Sequence, residues 1–174
     1  CSFHEVRETR GRGVQPQPGL SSGCSTSQQH SCGLPHLEGI HSGGHVVHTQ
    51  HWGEGTPYPA GSVMAVSFEL HGQPLIAFNG GPHFKLNEAA SLFVQCDDQA
   101  EVDKLWDGLI ADGGAPSQCG WLKDRFGLSW QIVPKAHMQM MSDSDGKRVA
   151  RVMQAMMKMS KFDIAALQRA YDGG

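Results

Sequence analysis

Apolar and polar positions follow two different regimes along this chain. From Cys1 to Gly44 there is no helical or alternating period; the residues are mostly Gly, Ser, Gln, Pro and His, as in Gly11-Arg12-Gly13, Pro16-Gln17-Pro18-Gly19 and Ser21-Ser22-Gly23. Such a stretch cannot bury enough apolar surface to order itself, and it is expected to be an irregular, disordered arm. From His45 onward periodicity begins. Val46 to His51 predicts a short strand, and Trp52 to Gly61 a Gly/Pro loop. Ser62 to Leu70 alternates Val63, Ala65 and Ser67 against Met64, Val66, Phe68 and Leu70, which predicts a second strand. After a turn at His71-Gly72, Leu75 to Asn79 predicts a third strand, ended by Gly80-Gly81-Pro82. Ser91 to Cys96 predicts a fourth. Asp98 and Glu101 have the spacing of a capping box, opening a helix with Val102, Leu105, Trp106, Leu109 and Ile110 on one stripe and Gly113-Gly114 after it. Cys119 to Leu122 and Leu128 to Val133 predict two more strands around the turn from Lys123 to Gly127, and Pro134 ends the sheet. The last forty residues are helical in pattern. Val149, Val152, Met153, Met156 and Met159 form one stripe, and Asp163 caps a short helix that turns Ile164, Leu167 and Tyr171 inward.

Composition narrows the class. A chain of 174 residues with 39% hydrophobic and 18% charged residues suits one ordinary domain, and it excludes collagen, coiled coil and wholesale disorder. The net charge of -3 hides a gradient, from five bases against ten acids over 45–135 to six against four over 136–174, and no segment has the look of a nucleic-acid surface. No apolar run reaches the length of a membrane span. Cys1, Cys24, Cys32, Cys96 and Cys119 form an odd set without a CxxC pair, which points to a reduced, cytoplasmic protein. A first residue of Cys rather than Met is read as a processed or shortened start. Seven of the ten histidines and three of the cysteines lie within the first 51 residues, so a metal-binding arm was weighed. Structural zinc needs two close ligand pairs, whereas Cys24 and Cys32 stand eight apart; incidental composition is the simpler reading.

A co-linear set of short motifs then gives a resemblance. Gly53-Glu54-Gly55-Thr56-Pro57, Gly61-Ser62-Val63-Met64, Phe68-Glu69-Leu70, Gly72-Gln73-Pro74 and Asn79-Gly80-Gly81-Pro82 resemble the PhnB-like branch of the vicinal oxygen chelate superfamily. So do Phe93-Val94-Gln95-Cys96, Leu105-Trp106, Cys119-Gly120-Trp121-Leu122-Lys123-Asp124, Phe126-Gly127-Leu128-Ser129-Trp130-Gln131 and the tail around Asp163-Ile164-Ala165-Ala166-Leu167. The resemblance implies an α+β fold of paired βαβββ modules whose strands curl into a cup-shaped sheet, often completed by a second subunit. Here the first strand and helix of module one are missing from the pattern, and C-terminal helices are added. The organisation expected is an arm over 1–44, a vicinal-oxygen-chelate-like domain over 45–135 and a helical extension over 136–174.

Members of this branch are often labelled 3-demethylubiquinone 3-methyltransferase-like. A typical class I S-adenosylmethionine methyltransferase needs a glycine-rich loop between a strand and a helix, and no GxGxG follows a strand here. The metal enzymes of the superfamily place His and Glu in the cup. At the positions the resemblance assigns to them stand Ser91 and Gln131, a hydroxyl and an amide that suit a divalent cation poorly. No catalytic metal and no cofactor are therefore expected. Strand alternation points Ser91, Phe93 and Gln95, Ser129, Gln131 and Val133, and Leu75, Ala77 and Asn79 into the cup, with Leu92, Val94, Trp130 and Ile132 beneath helices. Asn79, Ser91, Phe93, Gln95, Ser129 and Gln131 are the candidate ligand-binding residues; that they merely satisfy one another or water is the plain alternative. His83 is the one candidate acid or base, and Cys96 reads as an inert buried thiol. The expected function is binding of a small organic molecule by a homodimer, with no nucleic acid or membrane partner. The competing reading is an enzyme on a small organic substrate: an isomerase, a dioxygenase or the methyltransferase-like activity of the family label.

Overall fold

A computed structural model describes residues 2–5, 44–70, 72–81, 83 and 85–174, with side chains for all of these except residues 2–5. The expected disordered arm and its cysteines Cys1, Cys24 and Cys32 thus lie almost wholly outside the described residues, as do His71 and Pro82 of the two turns. The chain divides into two compact units, Cys1–His83 and Phe84–Gly174. Each contains a sheet, and with four α-helices among the described residues the fold is α+β.

The first unit is built on β2 (Gly44–His51), β3 (Val63–Leu70) and β4 (Gln73–Phe78), with β1 (Ser2–Glu5) at the far side of β4 in the order β1-β4-β3-β2. Every neighbouring pair is antiparallel. The β3–β4 register sets Phe68 beside Leu75 and Val66 beside Ala77, and all four are buried together with Ala65 and Leu70. The period of two in Ser62 to Leu70 is therefore the period of the core. Two features depart from the sequence expectation. Glycine 44 already belongs to a strand, pairing with Leu70, and Ser2–Glu5 form a strand within the stretch expected to hold none. The physical reason is that an open sheet edge offers backbone N–H and C=O groups that any extended segment can meet, whatever its side-chain pattern.

The second unit runs β5 (Ser91–Cys96), α1 (Gln99–Ile110), β6 (Ala115–Pro116), β7 (Trp121–Lys123) and β8 (Ser129–Pro134), then α2 (Lys135–Met141), α3 (Gly146–Met156) and α4 (Ile164–Asp172). Its sheet order is β5-β8-β7-β6, and β5 lies parallel to β8. A parallel pair needs a crossover, and α1 with the two short strands supplies it. The capping signal is realised at Asp98, whose Oδ1 accepts the Glu101 N–H at 2.9 Å, while the Glu101 carboxylate accepts the Asp97 N–H at 2.7 Å. The α1 stripe of Val102, Leu105, Trp106 and Leu109 is buried, and the helix packs on β8, β7 and β5.

Two residues hold the β7–β8 region in shape. Asp124 is buried and accepts from the N–H of Phe126 (2.9 Å), the N–H of Leu128 (3.0 Å) and the Trp130 indole (3.0 Å), so one carboxylate fixes the turn and the largest buried ring. Gly120 has φ +80, and a Cβ there would stand 2.4 Å from the Phe162 ring and 2.8 Å from the Ile132 carbonyl. The tail is knitted to this point: Cys119 N–H donates to the Met159 carbonyl and Gly120 N–H to that of Ser160, both at 2.8 Å. The tail helices make a core of Val133, Met140, Val152, Phe162 and Leu167, with Met156, Met159 and Tyr171 packed against it. At the end of α4, Arg151 donates to the carbonyls of Ala170 (2.8 Å) and Tyr171 (2.7 Å), satisfying groups the helix cannot. Among the described residues, no helix is long and apolar enough to cross a membrane.

Candidate functional site

The sheet of the second unit has two unlike faces because its strands alternate. The register pairs Ser91 with Ser129, Phe93 with Gln131 and Gln95 with Val133, which puts these six on one face. Leu92, Val94 and Cys96 share the other face with Trp130, Ile132 and Leu122, toward α1; of these, Cys96, Trp130, Ile132 and Leu122 are fully buried. Beyond β8, the pairing of Trp121 with Gln131 and Lys123 with Ser129 adds two side chains to the first face.

At the middle of that face Gln131 Nε2 donates to Ser91 Oγ at 2.8 Å. Beside the pair Phe93 is 48% exposed, an unusual setting for an aromatic ring in a sheet. Gln95 is exposed and its amide donates to the Met138 sulfur of α2 at 2.9 Å. Lys123 forms an ion pair with Glu88, which holds the Glu88 carboxyl below the usual range. Ser129 is 1% exposed, and its hydroxyl has no hydrogen-bond partner among the described residues. A buried hydroxyl without a partner is uncommon in a folded chain.

Five of the six candidate residues are therefore brought onto one face: Ser91, Phe93, Gln95, Ser129 and Gln131. Asn79 belongs to the first unit. Its side-chain amide donates to the Val63 carbonyl at 3.0 Å, and its N–H donates to the Met64 carbonyl at 2.9 Å, so it closes the base of the β3–β4 hairpin. Val133, expected to line a cavity, is buried in the tail core instead. Leu75 and Ala77 likewise belong to the core of their sheet. The reason is the same for all three: alternation tells which residues share a face but not what covers that face. Trp121 and Lys123 were missed, although the same period of two places them beside Gln131 and Ser129.

Two reactive candidates remain, His83 in the first unit and Cys96 on the helix-covered side of this sheet. His83 is exposed. Burial, and then the charges of Glu101, Asp97 and Asp98, push the Cys96 thiol up to about 12, so it holds its proton at neutral pH. Ser91 and Gln131 offer a divalent cation only a neutral hydroxyl and a neutral amide, already bonded to each other. Among the described residues no three His, Cys, Asp or Glu side chains come together in a way that could hold a metal ion. The donor set does not fit the His/Glu centre of the superfamily's metal enzymes.

Comparisons with known proteins bear on this geometry. A PhnB protein from Bacillus cereus, named as a candidate 3-demethylubiquinone-9 3-methyltransferase, superposes with a TM-score of 0.53 at 26% identity, covering 58% of this chain and 87% of its own. A protein from Pseudomonas aeruginosa gives a TM-score of 0.47 at 19% identity, covering 57% of this chain and 84% of its own. No curated protein matches. The family model described as 3-demethylubiquinone-9 3-methyltransferase matches residues 39–133, more than half of the chain and every strand from β2 to β8 except the last residue of β8. The chain belongs to the PhnB-like 3-demethylubiquinone-9 3-methyltransferase family.

Proposed function

We propose that this PhnB-like protein binds a small, neutral or weakly polar organic molecule on the open face of its second sheet, without a catalytic metal. The observation that carries the reading is the Ser91–Gln131 hydrogen bond beside the exposed Phe93. An apolar ring next to a hydroxyl and an amide offers contact area and orientation but no strong nucleophile, base or Lewis acid. Family membership supports a wider frame: two βαβββ modules forming a cup, completed by a second copy of the chain, in a cytoplasmic setting with no nucleic-acid or membrane partner and no cofactor.

Thermal-shift screening of small organic molecules, followed by calorimetry, tests the reading. Stoichiometric binding without turnover is expected, weakened about tenfold by Phe93→Ala or Gln131→Ala, or ~1.4 kcal/mol. Elemental analysis should find no stoichiometric metal, and light scattering should give twice the chain mass. Stoichiometric metal lost in Ser91→Ala and Gln131→Ala would overturn it.

The family's name favours a second reading, an enzyme on a small organic substrate with methyltransferase-like, isomerase or dioxygenase chemistry. It requires turnover. Methyl transfer from S-adenosylmethionine would have to use a site without the glycine-rich strand-to-helix loop of class I enzymes. Product formed with any bound molecule would favour this reading over simple binding.

A further inference from the structure

A second group of side chains, entirely within the first unit, has the composition of a binding site. Residues Trp52 to Ser62 join β2 to β3 in a loop tied across its base by Trp52 N–H to the Ser62 carbonyl and Gly61 N–H to the Trp52 carbonyl, each 2.8 Å. Inside it Thr56 Oγ1 donates to the Gly53 carbonyl at 3.0 Å and Ser62 Oγ to the Pro59 carbonyl at 2.6 Å. The loop is thus fixed by its own bonds.

This frame holds Trp52 stacked on Tyr58, with centroids 4.5 Å apart and planes 22° apart, and Phe78 of β4 edge-on to Trp52 at 6.1 Å. The rings are only half-buried and stand apart from the Phe68–Leu75 core. Aromatic pairs at a water boundary with polar tips are a common way to present a flat recognition surface. Here the tips are unused: neither the Trp52 indole N–H nor the Tyr58 hydroxyl makes a hydrogen bond among the described residues. The Tyr58 oxygen lies directly over the Gly81 peptide, where φ is +82 and a Cβ would stand 2.7 Å from it. Glycine there admits the phenol at close range, and the N–H groups of Gly80 and Gly81 have no partner among the described residues.

We propose that Trp52, Tyr58 and the Gly80-Gly81 peptide form a binding site for a planar aromatic ring carrying a hydroxyl or carbonyl oxygen on its rim. The ring adds to the existing stack, and its oxygen accepts from the indole, phenol or glycine N–H donors. The site offers donors and no strong acceptor beyond the phenol oxygen, which suits an oxygen on the ligand's rim. The site lies within the first unit, whereas the sheet face proposed above belongs to the second.

The test uses the full chain and two probes of similar size, 2-naphthol and its saturated counterpart 2-decalol. Calorimetry is combined with amide and indole chemical shifts of the nitrogen-labelled protein. Expected is saturable binding of 2-naphthol, at least tenfold weaker binding of 2-decalol, and shifts centred on the Trp52 indole, Gly80 and Gly81. Trp52→Leu should weaken 2-naphthol about tenfold or more. Tyr58→Phe, which keeps the ring, should weaken it by a few-fold, so the test stands even if Trp52→Leu does not fold. Absence of binding, equal affinity for both probes, or shifts confined to Phe93 and Gln131 would overturn the proposal. That last outcome would leave the sheet-face reading standing.

Discussion

The two sheets share a strand order, first-fourth-third-second, yet they are closed in different ways. In the second unit the outer strand β5 lies parallel to β8, and the connecting helix α1 seals one face with Val102, Leu105, Trp106 and Leu109, of which Val102 and Leu109 are wholly buried. In the first unit β1 lies antiparallel to β4, and β2 leaves Val47 62% exposed. In the second unit α1 thus does more than link strands: it sets β5 parallel to β8 and seals one face of the sheet, while Phe93 and Gln95 on the other face stay exposed. The hairpins differ too. Asp124 gathers three donors at the β7–β8 turn, whereas at the base of the β3–β4 hairpin the Asn79 side chain donates to the Val63 carbonyl.

The contrast can be broken or sharpened by substitution. Gly120→Ala forces a left-handed backbone on alanine and drives its Cβ into Phe162, so a loss of about 4 kcal/mol is expected in urea unfolding followed by tryptophan fluorescence. A loss under ~1 kcal/mol would mean the tail is not seated on the sheet. Asp124→Ala removes a carboxylate that accepts from three donors and should cost about 3 kcal/mol by the same measurement. Asn79→Ala should cost only about 1 kcal/mol, and equal costs for the two would erase the difference between the hairpins.

A smaller effect is expected from pH. His137 packs on the Phe162 ring at 4.8 Å, both its ring nitrogens are buried without a partner, and burial lowers its pKa from 6.5. The neutral ring is the one the fold prefers. Its contribution is therefore complete above about pH 6.5 and is lost as pH falls through the lowered value. The urea midpoint should fall between pH 7.5 and 5.5 more in the unaltered chain than in His137→Leu. Smallest of all is Ser129→Ala, which removes a buried hydroxyl without a partner and should be neutral or stabilising by up to ~1 kcal/mol. A clear loss would show that the hydroxyl is bonded in solution.

Much of the fold was legible because it rests on local periods. The alternation of Ser91 to Cys96 and of Leu128 to Val133 gave both strands and the shared face, and Asp98 and Asp163 marked helix starts that the structure realises with side-chain caps. What covers each face was not legible. Val133 is claimed by a core whose other members come from Met140 to Leu167, and no period along β8 encodes that. Asp124 read only as a turn residue, because its hold on the Trp130 indole depends on how the strands meet after the turn. The stack of Trp52 and Tyr58 sits in a Gly/Pro loop without any repeat, so proximity there had no sequence signal.

The parallel pairing of β5 with β8 also sets an order of events as the chain emerges and folds. The first hairpin needs only Val63 to Phe78, a short local closure, whereas Ser91 cannot meet Ser129 until the helix and two further strands have been made. Contacts between distant positions form slowly, and until they form an apolar strand such as Ser91–Cys96 remains open to other chains. A nascent protein halted after Ile110 would hold a completed hairpin and an unpaired β5, and it is at that stage that chaperone capture or aggregation should concentrate.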